Sequence, residues 1–276
     1  MHTLNCKGKI LSLEKPVIMA ILNITPDSFY KSYGQNEDEE ILSVAANMIA
    51  QGAAIIDLGG QSTRPGSALV SAAEEADRVV PWVEKIHQNF PDALISIDTF
   101  YSEVAKAAVA AGAHMVNDIS GGNMDIAMIP LLGKLNVPYI CMHMQSTPQT
   151  MQVNPQYNDV TAEVLDFFIQ KTEACRLAGI HDVIIDPGFG FGKKPVHNFR
   201  LLKNLPVFKM INRPIMAGLS RKGMIYKTLG IDASQALNGT TVLHTIALQN
   251  GANILRVHDV KEAKEAIELY EFYRKA

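Results

Sequence analysis

The side chains in this sequence most able to do chemistry recur at one kind of place, the end of a short β-prone run. Asn23, Asp57, Asp98, Asn117, His143, Asp186, Ser220 and Arg256 all stand there. A carboxylate can accept two parallel N–H donors from a heterocycle, and an amide beside it can both donate and accept. An arginine fork matches phosphate oxygens, and an amide oxygen is a suitable hard ligand for magnesium. One strand-end Asp or Asn is more often a turn residue or helix cap. Recurrence along the whole chain is what marks this set.

The richest stretch runs from Val183 to Lys193. Its β-branched start reads as a buried parallel strand, and Pro187 ends that strand at Asp186 by removing a backbone donor. The alternating glycines 188, 190 and 192 allow close approach to a ligand, and Phe189 and Phe191 can wall a pocket. A tight strand-to-helix turn with a solvated aspartate would look the same. A Walker phosphate loop does not fit, because Lys194 stands where Ser or Thr is needed. A second loop, Gly59 to Gly66, supplies Ser62, Thr63 and Arg64 as donors for an anion beside Pro65. Arg256 and His258 share a strand face and could hold another anionic group. Lys222 would bring an ammonium near Asp98 and Asp186, although a lysine starting a helix is ordinarily solvated. Asn23 is equally readable as an Asx turn, and His143 as a loop cap.

Elements that would position these residues alternate along the chain. Strands are expected at Val17–Leu22, Ala54–Asp57, Leu94–Asp98, Ala113–Asn117, Val137–Met142, Val183–Asp186, Pro214–Gly218 and Asn253–Val257. Helical periodicity fills Glu39–Ala50, Ala72–Gln88, Tyr101–Ala111, Thr161–Ala178, Gly239–Asn250 and Val260–Tyr273, with shorter helices near Asp125–Lys134 and His197–Lys203. This alternation predicts an α/β fold, a (β/α)8 TIM barrel spanning 1–276 as one domain. In a barrel every strand opens on one face, so the polar strand ends would share a mouth. The long irregular segment His143–Asn158 would border it.

Composition narrows the function. With 276 residues and a net charge of -3, the chain can bury a large core and lacks the basic clusters that hold a nucleic-acid backbone. Cys6, Cys141 and Cys175 form an odd set without close pairing, which argues against disulfides and zinc and suits a reducing compartment. The apolar run after Lys7 and Lys9 is too short to span a membrane, so a cytoplasmic location is expected.

From Val17 to the last helix the chain resembles the dihydropteroate synthase family. The stretches that match are Asn23–Phe29, Asp57–Gly66, Asp98 with Thr99, Asn117–Gly122, Asp186–Lys193, Ser220–Gly223 and Arg256–His258. The resemblance implies condensation of a dihydropterin methyl diphosphate with para-aminobenzoate, a magnesium ion and a homodimer. It assigns Asp98, Asn117, Asp186 and Lys222 to the pterin and Asn23 to the magnesium, beside the diphosphate. Thr63, Arg64, Arg256 and His258 would hold that diphosphate, and Phe29, Thr63, Pro65, Phe191 and Ser220 would surround the aminobenzoate. Asp98, Lys222 and Arg256 would act in the chemical step. Two departures stand out: Gln61 replaces a common Glu, and Tyr30–Asn36 replaces a Ser-Asp-Gly-Gly continuation.

Two other readings use some of the same residues. A pterin-binding methyltransferase of similar barrel fold, serving a corrinoid protein, would share Asp98, Asn117 and Asp186 but would not need Ser62 to Arg64 or Arg256 with His258. A non-catalytic pterin binder would not need the anion residues either. Diphosphate release with and without para-aminobenzoate separates all three.

Overall fold

The computed structural model describes residues 2–24, 37–62 and 66–276. Its first element is one the periodicity does not announce, a hairpin of β1 (Thr3–Cys6) and β2 (Lys9–Ser12). Lys7 and Gly8 turn it with φ of 54° and 91°. A Lys-Gly pair is a weaker turn signal than Asn-Gly, and each strand is only 4 residues long, which is why it escapes a pattern search.

The remaining strands are β3 (Val17–Asn23), β4 (Ile55–Gly59), β5 (Leu94–Asp98), β6 (Met115–Asp118), β7 (Tyr139–Met142), β8 (Val183–Asp186), β9 (Met216–Ala217) and β10 (Ile254–Val257). All pair in parallel, in the order β8-β7-β6-β5-β4-β3-β10-β9. An isolated bridge between Ile185 and Ile215 joins the two ends, so the sheet closes. The expected single-domain barrel is therefore present, with boundaries displaced by a residue or two. Around it lie α1 (Glu37–Ala50), α2 (Ala72–Asn89), α3 (Ser102–Ala111), α4 (Met128–Leu135), α5 (Val160–Leu177), α6 (Pro195–Lys203), α7 (Gly223–Leu229), α8 (Leu237–Gln249) and α9 (Val260–Lys275). Helix α7 was not expected, since it is short and opens on Gly223, a poor helix former.

Strand parity sorts the core into two layers. Ile18, Ile56, Ile95, Val116 and Ile185 face outward against helical residues such as Val79, Val83, Val104, Leu132 and Phe168. Met19, Ile55, Leu94, Met115, Ile140, Ile184, Met216 and Ile254 face inward and pack with Leu4, Cys6 and Leu13 of the hairpin region. The hairpin thus plugs the N-terminal end of the barrel, tied to β8 by Asn5 N–H donating to Asp182 Oδ2 at 2.8 Å. Two of the longer helices are capped by side chains at their starts: Ser71 accepts from Glu74 N, and Asp159 from Thr161 N and Ala162 N. Cys6, Cys141 and Cys175 are free and buried in this packing.

Helix α4 shows how little slack the outer layer has. A Cβ on Gly133 would lie 1.9 Å from the Ala178 carbonyl oxygen at the end of α5. Gly133→Ala should cost about 1–3 kcal/mol by forcing the two helices apart, although Ala is otherwise the better helix former. Urea denaturation measures this directly; equal midpoints would show that the contact yields freely.

Candidate functional site

Two residues beyond the apolar inward layer, the same strand faces turn polar. Ile55 is followed on its face by Asp57, Leu94 by Ser96 and Asp98, Met115 by Asn117, Ile184 by Asp186, and Ile254 by Arg256. Backbone register aligns Asp57 with Ser96 and Asp98 with Asn117 across neighbouring strands. The polar strand ends predicted from the sequence therefore do meet at one mouth, above an apolar floor that excludes water from below.

Arg256 is the hub. Its Nε donates to Asp57 Oδ2 and its Nη2 to Asp98 Oδ2, both at 2.6 Å. Asn117 Nδ2 donates to the same Asp57 oxygen at 3.0 Å. The guanidinium nitrogen Nη1 has no hydrogen bond among the described residues, and the buried Asp57 Oδ1 likewise lacks a partner there. Although burial disfavours its charge, Asp57 and Asp98 keep Arg256 firmly protonated. Desolvation pushes Asp98 up to about 7, against the pull of Arg256 and with the help of Asp57. Arg256 and Asp98 thus touch one another, where sequence reasoning set them at opposite ends of a substrate.

Asp186 lies across the mouth, 3 % exposed, with Oδ1 accepting from Gly188 N at 2.8 Å. Burial raises it, and Lys222 and the Gly188 N–H oppose that rise. Lys222 is half-buried with its ammonium turned inward, donating to the Phe189 carbonyl and lying 4.7 Å from the Phe191 ring centroid. Burial lowers it to about 8, opposed by Asp186. A Cβ on Gly218 would sit 3.5 Å from Lys222 Nζ and 3.8 Å from Asp186 Oδ2, so the absent side chain leaves this face of the mouth open. Ser220 Oγ takes the His258 backbone N–H at 3.2 Å and lies 3.0 Å from His258 Nδ1, which fixes the exposed imidazole at the rim. Arg221, next to Lys222, faces away in a bidentate pair with Asp259 at 2.9 Å for each bond.

Asn23 ends β3 beside Gly59, where an added Cβ would be 3.4 Å from its Oδ1. No group of three or more His, Cys, Asp or Glu able to hold a metal ion occurs among the described residues. A magnesium ion at Asn23 would draw one amide oxygen from the chain and the rest from phosphate and water, a coordination it commonly adopts. Phe29, Thr63, Arg64, Pro65 and the Tyr30–Asn36 segment lie outside the described residues. His143 is 7 % exposed and held down to about 2 by burial and by Lys193, so it is a neutral wall residue.

Glu75 is the site residue that sequence reasoning passed over. It occupies the buried face of α2 with Val79, Trp82, Val83 and Ile86, and a carboxylate on that apolar stripe was the available signal. Its Oε2 accepts from Gln61 Nε2 and from Thr99 Oγ1, each at 3.0 Å, while Arg78 Nη1 donates to the Gly60 carbonyl at 2.9 Å. Glu75 therefore links the root of the Gly59–Gly66 loop to the residue after Asp98.

Comparison with known proteins agrees with this geometry. The profile of the pterin binding enzymes matches residues 19–258. The chain is 44% identical over 267 residues to the dihydropteroate synthase of Escherichia coli K12, covering 96% of this chain and 94% of that one. A crystal structure of Yersinia pestis dihydropteroate synthase with a sulfonamide drug complex superposes with a TM-score of 0.93 at 41% identity, covering all of both chains. The Xanthomonas albilineans enzyme in complex with 7,8-dihydropteroate gives 0.90 at 36% identity, again covering all of both.

Burial raises Glu75 to about 7 from its ordinary 4.5, so the folded state holds a proton that the unfolded chain releases in that interval. Stability should then fall as pH rises from about 4.5 to about 7, by a ceiling of about 3 kcal/mol for this group. Glu75→Gln, which stays neutral, should raise the denaturation midpoint at about pH 8 and reduce the slope through that window. Urea melts across the pH range check both; a variant weaker at every pH would mean that the carboxylate is ionised in the fold.

Proposed function

The chain belongs to the pterin binding enzymes and, among them, to the dihydropteroate synthases, and from that premise we propose how its residues divide the work. It condenses 6-hydroxymethyl-7,8-dihydropterin diphosphate with para-aminobenzoate, giving 7,8-dihydropteroate and diphosphate in folate biosynthesis. This is a transferase reaction on small-molecule substrates. The corrinoid-dependent alternative is set aside by these matches. The observation that carries the division of roles is the buried donor and acceptor wall of Asp186, Asn117, Asp57 and Asp98 above a sealed apolar floor.

Asp186 accepts the paired N–H donors of the amino-pyrimidinone edge, and Lys222 donates to an acceptor on the same ring. Asn117, already fixed by Asp57, complements the ring beside them. The C–O bond to diphosphate breaks ahead of C–N bond formation, in a dissociative displacement. Positive charge then grows on the pterin methylene and is shared by the electron-rich ring, next to the carboxylates of Asp98 and Asp57. Arg256, held by both through Nε and Nη2, would use its remaining Nη1 for the departing anion, with His258 at the rim. Magnesium bound through Asn23 would offset diphosphate charge. The arylamine attacks as a neutral nucleophile and loses one proton after the C–N bond forms, so no strong general base is required. Phe191 and Ser220 flank the aminobenzoate, joined by Phe29, Thr63 and Pro65. A sulfonamide, the drug class complexed with the Yersinia pestis enzyme, would compete for that place as an analogue of the arylamine. Homodimer formation and a cytoplasmic location follow from the resemblance; among the described residues no helix is long and apolar enough to cross a membrane.

Purified protein should release diphosphate from the pterin substrate in a manner dependent on para-aminobenzoate and on magnesium. Release that ignores para-aminobenzoate would refute the displacement. Asp186→Ala should weaken a pterin analogue by roughly 2–5 kcal/mol, because the ring donors lose their buried acceptor. Calorimetric titration reads this, and unchanged affinity would remove Asp186 from the pterin site.

Binding should also be ordered, because the aminobenzoate pocket draws residues from the same loops that would grip diphosphate. Para-aminobenzoate should bind measurably only when magnesium and diphosphate, or the intact pterin substrate, are present. Equilibrium dialysis against the protein alone decides this: equally tight binding there would mean a pocket complete without them.

A further inference from the structure

We propose that Lys193 is a positioning residue that staples the turn after β8 to the segment after β7, and thereby sets the geometry of Asp186, Phe191 and Lys222. The proposal rests on the reading that these three contact substrate. Lys193 is 2 % exposed, a rare state for a lysine. Its Nζ lies 2.9 Å from His143 Nδ1, 3.0 Å from the Gly188 carbonyl, 3.0 Å from the Phe191 carbonyl and 3.2 Å from the His143 carbonyl. All these partners are acceptors when His143 carries its proton on Nε2, so an ammonium with three N–H groups suits the nest and a thioether or alkyl group does not. Among the described residues no carboxylate bonds directly to Nζ.

Backbone packing explains why a donor is used here, although burial lowers Lys193 well below the ordinary lysine range. A Cβ on Gly188 would lie 2.0 Å from the His143 carbonyl oxygen, and one on Gly192 would lie 2.6 Å from that of Gln145. Both glycines also have positive φ, 68° and 61°. The two segments are therefore pressed together backbone to backbone, with carbonyl oxygens converging on the seam. Converging carbonyls repel unless a donor lies among them, and a buried carbonyl left without one is costly. Lys193 supplies that donor from within the turn. Gln152 Nε2 to the Gly190 carbonyl at 2.6 Å and Tyr157 Oη to the Gly192 carbonyl at 2.9 Å add attachments from the long segment before α5.

The consequences reach the mouth through the backbone. Gly188, whose carbonyl takes Lys193, gives its N–H to Asp186 Oδ1. The Phe189 carbonyl holds Lys222, and the Phe191 ring lies beneath that same ammonium. Without Lys193 the turn would have several nearly equal arrangements, and each would aim Asp186 and Lys222 differently. His143 takes part only as a neutral acceptor, its ring braced edge-on by Phe167 at 4.9 Å between centroids.

The test replaces Lys193 by methionine, which keeps the length and removes the donors, with Lys194→Met as the exposed control. Folded protein is quantified by near-ultraviolet circular dichroism, and pterin-analogue affinity and steady-state kinetics are then measured. Lys193→Met should weaken the analogue about tenfold and raise KM for both substrates by more than kcat falls, because an ensemble of turns must be ordered on binding. Its His143 Nδ1 resonance should move, having lost its donor. Lys194→Met should match the parent protein. Unchanged affinity and KM, with only a lower melting temperature, would overturn the proposal. Where Lys193→Met does not fold, His143→Phe keeps the ring packing and removes one acceptor: about threefold weaker pterin binding supports the staple, and unchanged binding overturns it. Asp186→Ala run in parallel separates this from failure of the site reading, which would leave pterin affinity unchanged in that variant as well.

Discussion

The site depends on a guanidinium and two carboxylates being taken out of water together. Asp57 is fully buried and Asp98 nearly so, and burying such carboxylates without a partner is costly at the mouth of a barrel sealed below by Met19, Ile55, Leu94 and Ile254. Arg256 makes the arrangement possible by bonding to both. Compensation is incomplete, since Asp98 is still pushed up to about 7 and Asp57 Oδ1 is left without a partner among the described residues. A residue set tuned only for stability would not keep two such acids in register. The cost is local, and the surrounding core of aliphatic side chains carries it.

A second constraint is steric. The turn after β8 and the segment after β7 approach until only glycine fits at 188 and 192, and the carbonyls so brought together need a buried donor. This side of the mouth is therefore rigid by construction. The opposite side is built differently, because the Gly59–Gly66 loop is rooted by side chains, through Gln61 and Arg78 onto α2. Gln61 suits this root: its amide donates to Glu75, whereas a glutamate there would place two carboxyl groups against each other and require a shared proton.

Much of this was legible in the sequence for a physical reason. A closed parallel barrel forces inward and outward residues to alternate, so Ile55 and Asp57, or Ile254 and Arg256, reveal a shared face before any coordinates are known. Strand-end Asp98, Asn117 and Asp186 were found from their place at the ends of β-prone runs, which such a barrel gathers at one mouth. Contacts between segments were not legible. Nothing in the order of residues says that Arg256 bonds to Asp57 and Asp98, or that Lys193 reaches His143 fifty positions away, because both depend on how strands far apart in sequence are brought side by side. Glu75 was hidden for another reason: helical periodicity counts a charged residue as exposed, and only a partner from another segment makes it tolerable inside. The hairpin and α7 were missed because short elements carry too few residues for a period to show.

The raised carboxylates also bear on the proposed chemistry. Burial raises both Asp98 and Asp186 above the ordinary carboxylate range. An amino-pyrimidinone edge offers N–H donors, and a carboxyl group accepts two of them well only when it is ionised. Ring donors and protons would thus compete for the same oxygens, and on the proposed roles a pterin at Asp186 would stabilise the charged form that burial disfavours. On the proposed displacement that charge, buried and held by the Gly188 N–H, would stand in place as positive charge develops on the pterin methylene. The same desolvation that penalises these carboxylates would make the mouth responsive to the one event, cation formation beside them, that the proposed displacement requires.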